Sequence, residues 1–303
     1  MRHVPVHLNE VVENLNLHLG DNVIDCTLGD AGHSEAMLEK ISPNGKLLGL
    51  DADPESVLRA KQYLYRFGER AKFVRDNFLN LKKIVTETGF GPVNAILFDL
   101  GWSTPQFQER GRGFSFETDE PLDMRYSGGQ SNDESQTAAQ IVNDYPEKEL
   151  TKIFKQYGEE KFADLIARAV TIARKESRIE KTKQLTEIIL KVYREKLHSD
   201  KEVPWIGGIP PATKIFQALR IETNKELEVL KKVLPDAIDV LAPGGRLAVI
   251  TFHSLEDRIV KHLFQKNISK IMIITKKPIV ASEEELKVNQ RARSAKLRVI
   301  EKI

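Results

Sequence analysis

The chain has 303 residues, of which 41% are hydrophobic and 30% charged, and its formal net charge is +2. This length and composition predict a globular protein with a substantial core, built as two domains or as one domain with an insertion. No apolar run follows Arg2 and His3 as a signal peptide requires, and no segment has the length of a membrane span. The single cysteine, Cys26, excludes an internal disulfide and a cysteine-based zinc site. We therefore predict a cytoplasmic protein.

The small net charge hides an uneven distribution along the chain. Residues 258–303 contain twelve Lys and Arg against four acidic residues, so this segment carries +8 and residues 1–257 carry −6. A local concentration of basic side chains suits a phosphate backbone, and the run RARSAKLR at 291–298 belongs to it. Arg291 and Arg293 are therefore candidate nucleic-acid contacts, with a solvated charged surface as the alternative.

Residues 22–51 have the pattern of a nucleotide-type β-α-β unit. An apolar strand ends at Asp25, a loop with Gly29 and Gly32 and a helix follow, and a second strand at 46–50 ends at Asp51. The glycines allow a sharp turn and a close approach to a ligand, while the carboxylate after the second strand is placed to bind ribose hydroxyls. A purely structural turn is the alternative.

The composition of this loop favours one cofactor over others. Its spacing differs from the G-x-G-x-x-G pattern that pyrophosphate cofactors prefer, and it places two acids, Asp25 and Asp30, near the ligand. Acidic side chains repel phosphates but attract the sulfonium and ammonium groups of S-adenosylmethionine, which has no phosphate. We therefore predict S-adenosylmethionine, and an NAD-type oxidoreductase is the less favoured alternative.

Strands and helices alternate again beyond this unit. Apolar periodicity predicts helices at 54–66 and 79–88 and strands at 72–75 and 93–98, then helices at 227–241 and 255–265 and strands at 246–251, 271–275 and 297–301. A P-G-G turn at 243–245 separates the later helix from its strand. The order is typical of an α/β sheet domain.

A different pattern separates the two halves of this sheet. Residues 104–132 are polar and glycine-rich, and helical periodicity without a strand candidate follows. The predicted helices lie at 137–143, 147–157, 161–175 and 182–197. We therefore predict an α/β fold in which an all-helical domain is inserted into a Rossmann-like sheet domain. The sheet domain comprises 1–106 and 211–303, and the mainly helical insertion comprises 107–210.

Four acidic residues, Asp25, Asp51, Asp76 and Asp99, each directly follow a predicted strand. Because ligands bind at the carboxyl ends of parallel strands, we expect these residues to converge on one crevice. Phe78, just after the third strand, is placed to stack on an adenine ring.

Asp99 opens the loop DLGWSTPQ at 99–106, which also presents a flat aromatic side chain and an amide. An amino group bound there could donate to Asp99 and be held in line with a methyl sulfonium. A target base must leave its stack for this chemistry, and Trp102 and Phe114 are candidate platforms for it. In the alternative interpretation Asp99 caps a turn and the two aromatic residues pack in a core.

Longer motifs, in the same order over almost the whole chain, resemble those of the bacterial small-subunit ribosomal RNA cytosine-N4 methyltransferases. They are HVPV at 3–6, TLG at 27–29, GHS at 32–34, DLG at 99–101, PQ at 105–106, RGFSF at 112–116, PLDMR at 121–125, YGEE at 157–160, FQALRI at 216–221, FHSLEDR at 252–258 and RARSAKLR at 291–298. The resemblance implies a Rossmann-like methyltransferase sheet with an inserted helical domain and S-adenosylmethionine as methyl donor. It also implies a cytosine in the decoding region of 16S ribosomal RNA as acceptor.

The implied partner is small-subunit ribosomal RNA, in the context of the ribosomal subunit, with no membrane partner. A homodimer is one candidate for the oligomeric state. The expected cofactor contacts, by position in the family and from the loop pattern, are Gly29, Ala31, Gly32, His33, Asp51, Phe78, Asp99 and Gln106. Asp99 is the predicted catalytic residue. The predicted substrate contacts are Trp102, Ser103, Arg112, Phe114, Arg291 and Arg293. No metal site is predicted, because the spacing of His33 and His253 matches no zinc signature.

The chain departs from the family pattern at four positions. Ala31 replaces a loop glycine and Thr104 a serine, whereas Pro210 and Lys214 replace a histidine and an arginine. Loss of an imidazole and of a bidentate guanidinium would weaken substrate handling or catalysis if the family depends on them. A ribosome-binding assembly factor that keeps the cofactor fold but has weak or lost turnover is therefore the alternative function.

Overall fold

The computed structural model describes residues 4–101, 111–129, 135–198 and 210–303. The chain divides into two compact units. The sheet unit comprises residues 1–103 and 227–303, and the helical unit comprises residues 104–226.

Seven strands form one sheet. They are β1 (Asn22–Asp25), β2 (Lys46–Asp51), β3 (Ala71–Arg75), β4 (Val93–Asp99), β5 (Leu241–Thr251), β6 (Ile271–Ile273) and β7 (Lys296–Lys302). Their spatial order is β3-β2-β1-β4-β5-β7-β6; β1 to β5 pair in parallel, and β7 is antiparallel to β5 and β6. This is the Rossmann order 3-2-1-4-5-6 with one antiparallel strand added before the last. The predicted fold class and seven strands are confirmed.

Among the described residues, α-helices pack on both faces of the sheet and form the core of the helical unit. In chain order they are α1 (Leu8–Asn14), α2 (Gly32–Lys40), α3 (Pro54–Tyr63), α4 (Leu81–Thr88), α5 (Ala138–Asp144), α6 (Glu147–Gln156), α7 (Ala163–Glu176), α8 (Thr182–Leu197), α9 (Thr213–Asn224), α10 (Glu226–Val240), α11 (Ser254–Lys266) and α12 (Glu283–Val288). The sequence analysis did not predict α1, α9 and α12. Two of these, α1 and α12, are at most two turns long, too short to establish a helical period.

The sheet has a separate hydrophobic core on each face. Leu47 and Leu97 belong to one core with α1, α2 and α3, while their chain neighbours Leu48 and Phe98 belong to the other with α4, α10 and α11. All four side chains are fully buried. Successive side chains of a strand point to opposite faces, so a strand covered on both sides is apolar at every position. This explains the continuous apolar runs in the sequence.

The predicted P-G-G turn lies inside β5. Val93 and Ala95 of β4 pair with Leu241 and Arg246, so β5 has extra residues between these two pairs and bulges. Gly244 in this bulge has φ +76°, a left-handed conformation that favours glycine. The sequence signal for a chain reversal therefore corresponds to a break in the register of a longer strand.

The helical unit has its own core, which includes the fully buried side chains of Phe154, Ile166 and Leu185. The sequence analysis ended this domain at residue 210, but the structure ends the unit at Glu226. The reason is that α9 contributes buried apolar residues, among them Ile215, to the helical core. No helix of the described residues is long and apolar enough to cross a membrane.

Phe98 gives a direct test of the packing in the sheet unit. Its ring is fully buried and meets the ring of Phe78 edge-on, with centroids 5.4 Å apart. We expect Phe98→Ala to lower the free energy of unfolding by about 3–5 kcal/mol, because it removes apolar contacts and leaves a cavity. Tyr65→Ala, at a position that is 86% exposed, is the control and should change it by less than about 0.5 kcal/mol. Equal denaturant midpoints for the two variants would contradict this assignment of the core.

Candidate active site at the carboxyl edge of the sheet

A buried carboxyl group organises the loop after β1. Asp25 is 1% exposed; its Oδ2 accepts from the Ser34 hydroxyl at 2.7 Å, and its Oδ1 accepts from the Thr27 N–H at 3.1 Å. Burial raises the pKa of Asp25, while these hydrogen bonds oppose the rise. Asp25 therefore holds the loop and the first turn of α2 in place.

Thr27 ties this loop to the end of β4. Its hydroxyl oxygen accepts from the backbone N–H of Asp99 at 2.6 Å. The Cys26 N–H donates to the Leu97 carbonyl at 2.9 Å, and the Leu28 N–H donates to the Leu50 carbonyl at 3.0 Å. The ends of β1, β2 and β4 are thereby held at one edge, as the strand-end acids predicted.

Asp51 closes the other side of the loop. Its Oδ2 accepts from the Gly29 N–H at 2.9 Å and its Oδ1 from the Asp53 N–H at 2.8 Å. Each carboxylate oxygen has two lone pairs, so each retains one for a further donor, which suits the two hydroxyls of a ribose. Burial raises the pKa of Asp51 to about 7, although both N–H bonds act in the opposite direction.

Two residues of this loop, separated by a single residue, adopt the left-handed backbone conformation. Gly29 has φ +48° and Ala31 has φ +59°, and Ala31 precedes the first residue of α2. Glycine adopts this conformation without cost, whereas alanine does so with roughly 1 kcal/mol of strain. Ala31 therefore keeps the conformation that a glycine would have there. Asp30, between them, lies 3.9 Å from the Arg59 guanidinium, so one of the two loop acids has a nearby counter-charge.

Asp99 and His33 meet at this edge. The Nδ1 of His33 lies 3.5 Å from the Oδ2 of Asp99, and the Nε2 of His33 lies 2.9 Å from the Val6 carbonyl oxygen. The Asp99 side chain is 24% exposed, yet its Oδ1 is buried and has no hydrogen-bond partner among the described residues. Burial raises the pKa of Asp99 well above its ordinary value, and the nearby charges of Asp25 and Glu256 add to the rise.

Phe78 occupies the position at which the sequence analysis placed an adenine platform. It follows β3 as the first residue of a short 3₁₀ helix, and its ring is half-buried against Phe98. Asp76, by contrast, accepts from the Asn77 N–H and from the Asn80 side-chain amide, and so stabilises the turn itself.

The predicted substrate residues of the helical unit have structural partners. Phe114 is 5% exposed and stacks on Tyr126 with ring centroids 5.5 Å apart. This burial favours the core-packing alternative for Phe114 over the platform role, which stays a prediction. Arg112 donates from Nη1 to the backbone carbonyls of Arg125 and Tyr126, at 3.4 and 3.0 Å, and so braces a loop.

The basic residues near the C-terminus differ in their surroundings. Arg298 is buried and pairs with Asp257, with Nε to Oδ1 at 2.7 Å, which lowers the pKa of Asp257. Arg293 is exposed, whereas Arg291 is half-buried, and burial lowers its pKa. Arg293 thus has the exposure that a phosphate contact needs, and Arg298 serves the fold.

The described positions that depart from the family pattern have local roles. The Lys214 ammonium donates to the Glu159 carbonyl at 3.0 Å, and the Pro210 carbonyl accepts from the Thr213 N–H at 3.1 Å before α9. Three predicted site residues, Trp102, Ser103 and Gln106, lie outside the described residues, as does Thr104.

Sequence reasoning missed several residues that shape the site. Thr27, Ser34 and Val6 act through single hydrogen bonds, and nothing in their local sequence marks these bonds. Glu256 is buried and accepts from the N–H groups of Phe252 and His253, and no role was predicted for it. The single available signal was position, because Thr27 and Ser34 belong to motifs that resemble those of the family.

The fold and the site together have the features of a Rossmann-like methyltransferase: a doubly wound sheet with a carboxylate at the end of β2 that accepts from the Gly29 N–H, and an acidic loop after β1. The chain belongs to the MraW methylase family, whose model matches residues 1–303.

Curated relatives agree over the full length. The chain is 43% identical to the ribosomal RNA small subunit methyltransferase H of Carboxydothermus hydrogenoformans, over 99% of this chain and 98% of the relative. It is 42% identical to the protein of the same name from Clostridioides difficile, over 99% of both chains. Among solved structures it is similar to an rRNA methylase from Streptococcus thermophilus, over 100% of this chain and 99% of that one, with 12% identity and a TM-score of 0.44. The relatives' names support the methyltransferase interpretation over an assembly factor or an oxidoreductase.

The raised pKa of Asp51 predicts how cofactor binding depends on pH. Ribose hydroxyls donate to the ionised carboxylate, and Asp51 is protonated below about pH 7. We therefore expect the affinity for S-adenosylmethionine to rise, by up to about tenfold per pH unit, as the pH increases towards 7, and to level off above it. Isothermal titration calorimetry across this range measures the effect. Asp51→Asn is the control and should bind weakly with no such dependence; a parallel pH profile in this variant would assign the effect to another group.

Proposed function

We propose that the protein transfers the methyl group of S-adenosylmethionine to the N4 amino group of a cytosine in small-subunit ribosomal RNA. The observation that carries this proposal is the match to proteins named ribosomal RNA small subunit methyltransferase H over 99% of the chain at 43% identity. The choice of a cytosine in the decoding region comes from the motif resemblance described above.

The residues at the sheet edge fit this cofactor. Asp51 has a lone pair on each carboxylate oxygen for the ribose hydroxyls, and the left-handed backbone at Gly29 brings its N–H to this carboxylate. Phe78 offers a half-buried ring for adenine. When bound, the cofactor supplies an electrophilic methyl group on a sulfonium.

Asp99 is the proposed catalytic residue. The cytosine amino group is a poor nucleophile because its lone pair is delocalised into the ring, so it must be oriented for attack. The Asp99 side chain is 24% exposed, so its carboxyl group can accept one N4 hydrogen. Alignment of the amino nitrogen with the methyl carbon supplies most of the acceleration. The nitrogen gains the methyl carbon, the carbon–sulfur bond breaks with its electrons on sulfur, and the surplus N4 proton leaves to Asp99 or water.

RNA binding remains a proposal for several residues. Arg293 has the exposed guanidinium that a phosphate requires, and Arg291 beside it lies on the same short segment. Trp102, Ser103 and Arg112 keep their predicted substrate roles, with Arg112 already committed in part to backbone carbonyls.

The cellular setting follows from the substrate. We propose that the protein acts in the cytoplasm on ribosomal RNA held in the small subunit, where a folded target presents the cytosine in one geometry. A homodimer stays a prediction, which light scattering on the purified protein tests directly.

Methyl transfer is the direct test. Small subunits that lack the modification and naked ribosomal RNA are incubated in parallel with labelled S-adenosylmethionine, and the product is digested for nucleoside mass spectrometry. We expect N4-methylcytidine, with the preferred form of RNA identifying the physiological substrate. Asp99→Ala should lower the turnover number at least about a hundredfold, because the orienting acceptor is lost, and the cofactor Kd measured alongside separates this effect from loss of a cofactor contact.

A control variant makes this outcome decisive. Glu87→Gln changes an exposed carboxyl group on α4, whose Oε1 lies 3.8 Å from the Lys83 Nζ, and should leave turnover unchanged. Full methylation by Asp99→Ala would remove Asp99 from the mechanism. Cofactor binding without any transfer to either RNA would overturn the proposed reaction.

A further inference from the structure

The imidazole ring of His7 is buried without a hydrogen bond. The residue is 0% exposed, and neither ring nitrogen makes a hydrogen bond with the residues that the structure describes. A buried polar side chain in this state has lost its hydration without compensation, which is uncommon in folded proteins. The ring therefore gains free energy from a ligand that its lone pair can bind.

A carboxylate of Glu285 lies beside this ring in the same state. The Nδ1 of His7 is 3.2 Å from the Oε2 of Glu285, an atom that is also buried and makes no hydrogen bond within the described part of the chain. The other oxygen, Oε1, accepts from the backbone N–H of His7 at 2.7 Å. This bond fixes the carboxylate group, so Oε2 and Nδ1 are held close together although no hydrogen bond joins them.

Glu10 brings a second carboxylate to the same place. It lies in the first turn of α1, three residues after His7, and residues with this spacing lie on one side of a helix. One potential ligand atom from each of His7, Glu10 and Glu285 lies within 4.8 Å of the other two. Glu10 is only half-buried, so its side chain has room to rotate towards them.

The distance between the first two atoms is typical of neighbouring ligands on one metal ion. Zn²⁺ binds imidazole nitrogen and carboxylate oxygen at about 2.0–2.2 Å, so two ligands of a tetrahedral ion lie about 3.4 Å apart. The 3.2 Å between Nδ1 and Oε2 is close to this value. The charges also match, because two carboxylates and a neutral imidazole balance a divalent cation, and an unbalanced charge is costly in a buried setting.

We propose that His7, Glu10 and Glu285 bind a divalent transition-metal ion, of which Zn²⁺ is the best match. The imidazole nitrogen favours Zn²⁺ over Mg²⁺ and Ca²⁺, which prefer oxygen ligands. Water completes the coordination, since both glutamates are partly exposed. None of the three residues belongs to the predicted cofactor or substrate contacts, so the site goes beyond methyl transfer.

The sequence analysis predicted no metal site, because it compared the spacing of His33 and His253 with zinc signatures. The ligands proposed here are too far apart for such a signature, since 278 positions separate His7 from Glu285. Only the folded chain brings them together.

An ion at this site joins the two ends of the sheet unit. His7 ends an N-terminal strap, residues 4–7, and Glu285 lies in α12. The strap already contacts the C-terminal segment through the side-chain amide of Asn289, which donates to the Val4 carbonyl at 3.0 Å. Because the ion needs both ends in their folded positions, its binding stabilises the folded state.

Metal titration of the full chain, without a histidine tag, tests the site. Protein stripped with a chelator and then dialysed is titrated with Zn²⁺ in a calorimeter. We expect one tight site in the wild type and a Kd at least about a hundredfold higher in Glu285→Gln, because loss of a ligand costs more than the 10–100-fold cost of losing a residue behind one. The amide oxygen of this variant still accepts from the His7 N–H, so the local backbone is kept. Mg²⁺ should bind the wild type at least about a hundredfold more weakly than Zn²⁺.

His18→Gln is the matched control. The Nδ1 of His18 also lies near a carboxylate, 3.8 Å from Asp21 Oδ2, but its side chain is 71% exposed. This variant should keep the tight zinc site with its Kd unchanged.

Thermal unfolding provides a second measurement. His7→Asn removes the imidazole, while asparagine accepts the left-handed backbone of this position, φ +55°. At a hundredfold excess of Zn²⁺ over the wild-type Kd, we expect the Tm of the wild type to rise by roughly 3–6 °C and that of His7→Asn to stay constant. With chelator present, a cooperative transition in the variant shows that it folds.

Anomalous diffraction at the zinc edge then locates the ion, with a peak expected within bonding distance of His7 and Glu285. Equal zinc affinity in the wild type and Glu285→Gln, or a peak at other side chains, contradicts the proposal. Absence of a tight zinc site in the wild type also rejects it and leaves His7 and Glu285 as an ion pair only. None of these measurements uses RNA or S-adenosylmethionine, so they are independent of the methyl-transfer assay.

Discussion

Asp25 is buried at the end of β1, and its two carboxylate oxygens hold the start of α2 through Ser34 and the loop through Thr27. Thr27 in turn accepts from the backbone of Asp99, so the carboxyl group fixes the relation between two strand ends. Its negative charge also raises the pKa of Asp51 and of Asp99, after the larger effect of burial on each. The geometry and the electrostatics of the site thus depend on the same side chain.

The placement of several carboxyl groups at one edge of the sheet costs free energy, and the proposed cofactor complements the edge that results. Buried carboxyl groups at one edge repel each other and lose hydration, and without partners they would protonate. Most of these carboxyl groups have a nearby hydrogen-bond donor or positive partner. The partners are backbone N–H groups, the Thr27 and Ser34 hydroxyls and the His33 ring. What remains is an edge with spare acceptor capacity and few protein donors. A cofactor that brings hydroxyls, an ammonium and a sulfonium complements it, whereas a pyrophosphate would not.

The apolar pattern of the sequence is sufficient to predict most strands and helices of this chain. All seven strands and the longer inserted helices were predicted, because apolar residues recur with the period of each element. The boundary of the helical unit was wrong, because α9 is amphipathic towards the helical core and sequence period does not say which core an apolar face joins. Sequence alone could not show that the Phe114 ring stacks on Tyr126, because a ring that packs in a core and a ring that binds a base have the same sequence signal.

The sequence by itself determined the order of the elements and the acids that follow β1, β2 and β4, as well as the family. Topology then follows with little freedom, since parallel strands share one carboxyl edge. Only the tertiary structure decided what each acid does: Asp25 became scaffold, Asp51 kept free lone pairs, and Asp99 met His33. The physical reason is the separation in sequence over which each signal acts. Periodicity records local burial, whereas a hydrogen bond depends on ångström distances between residues that are far apart in the chain.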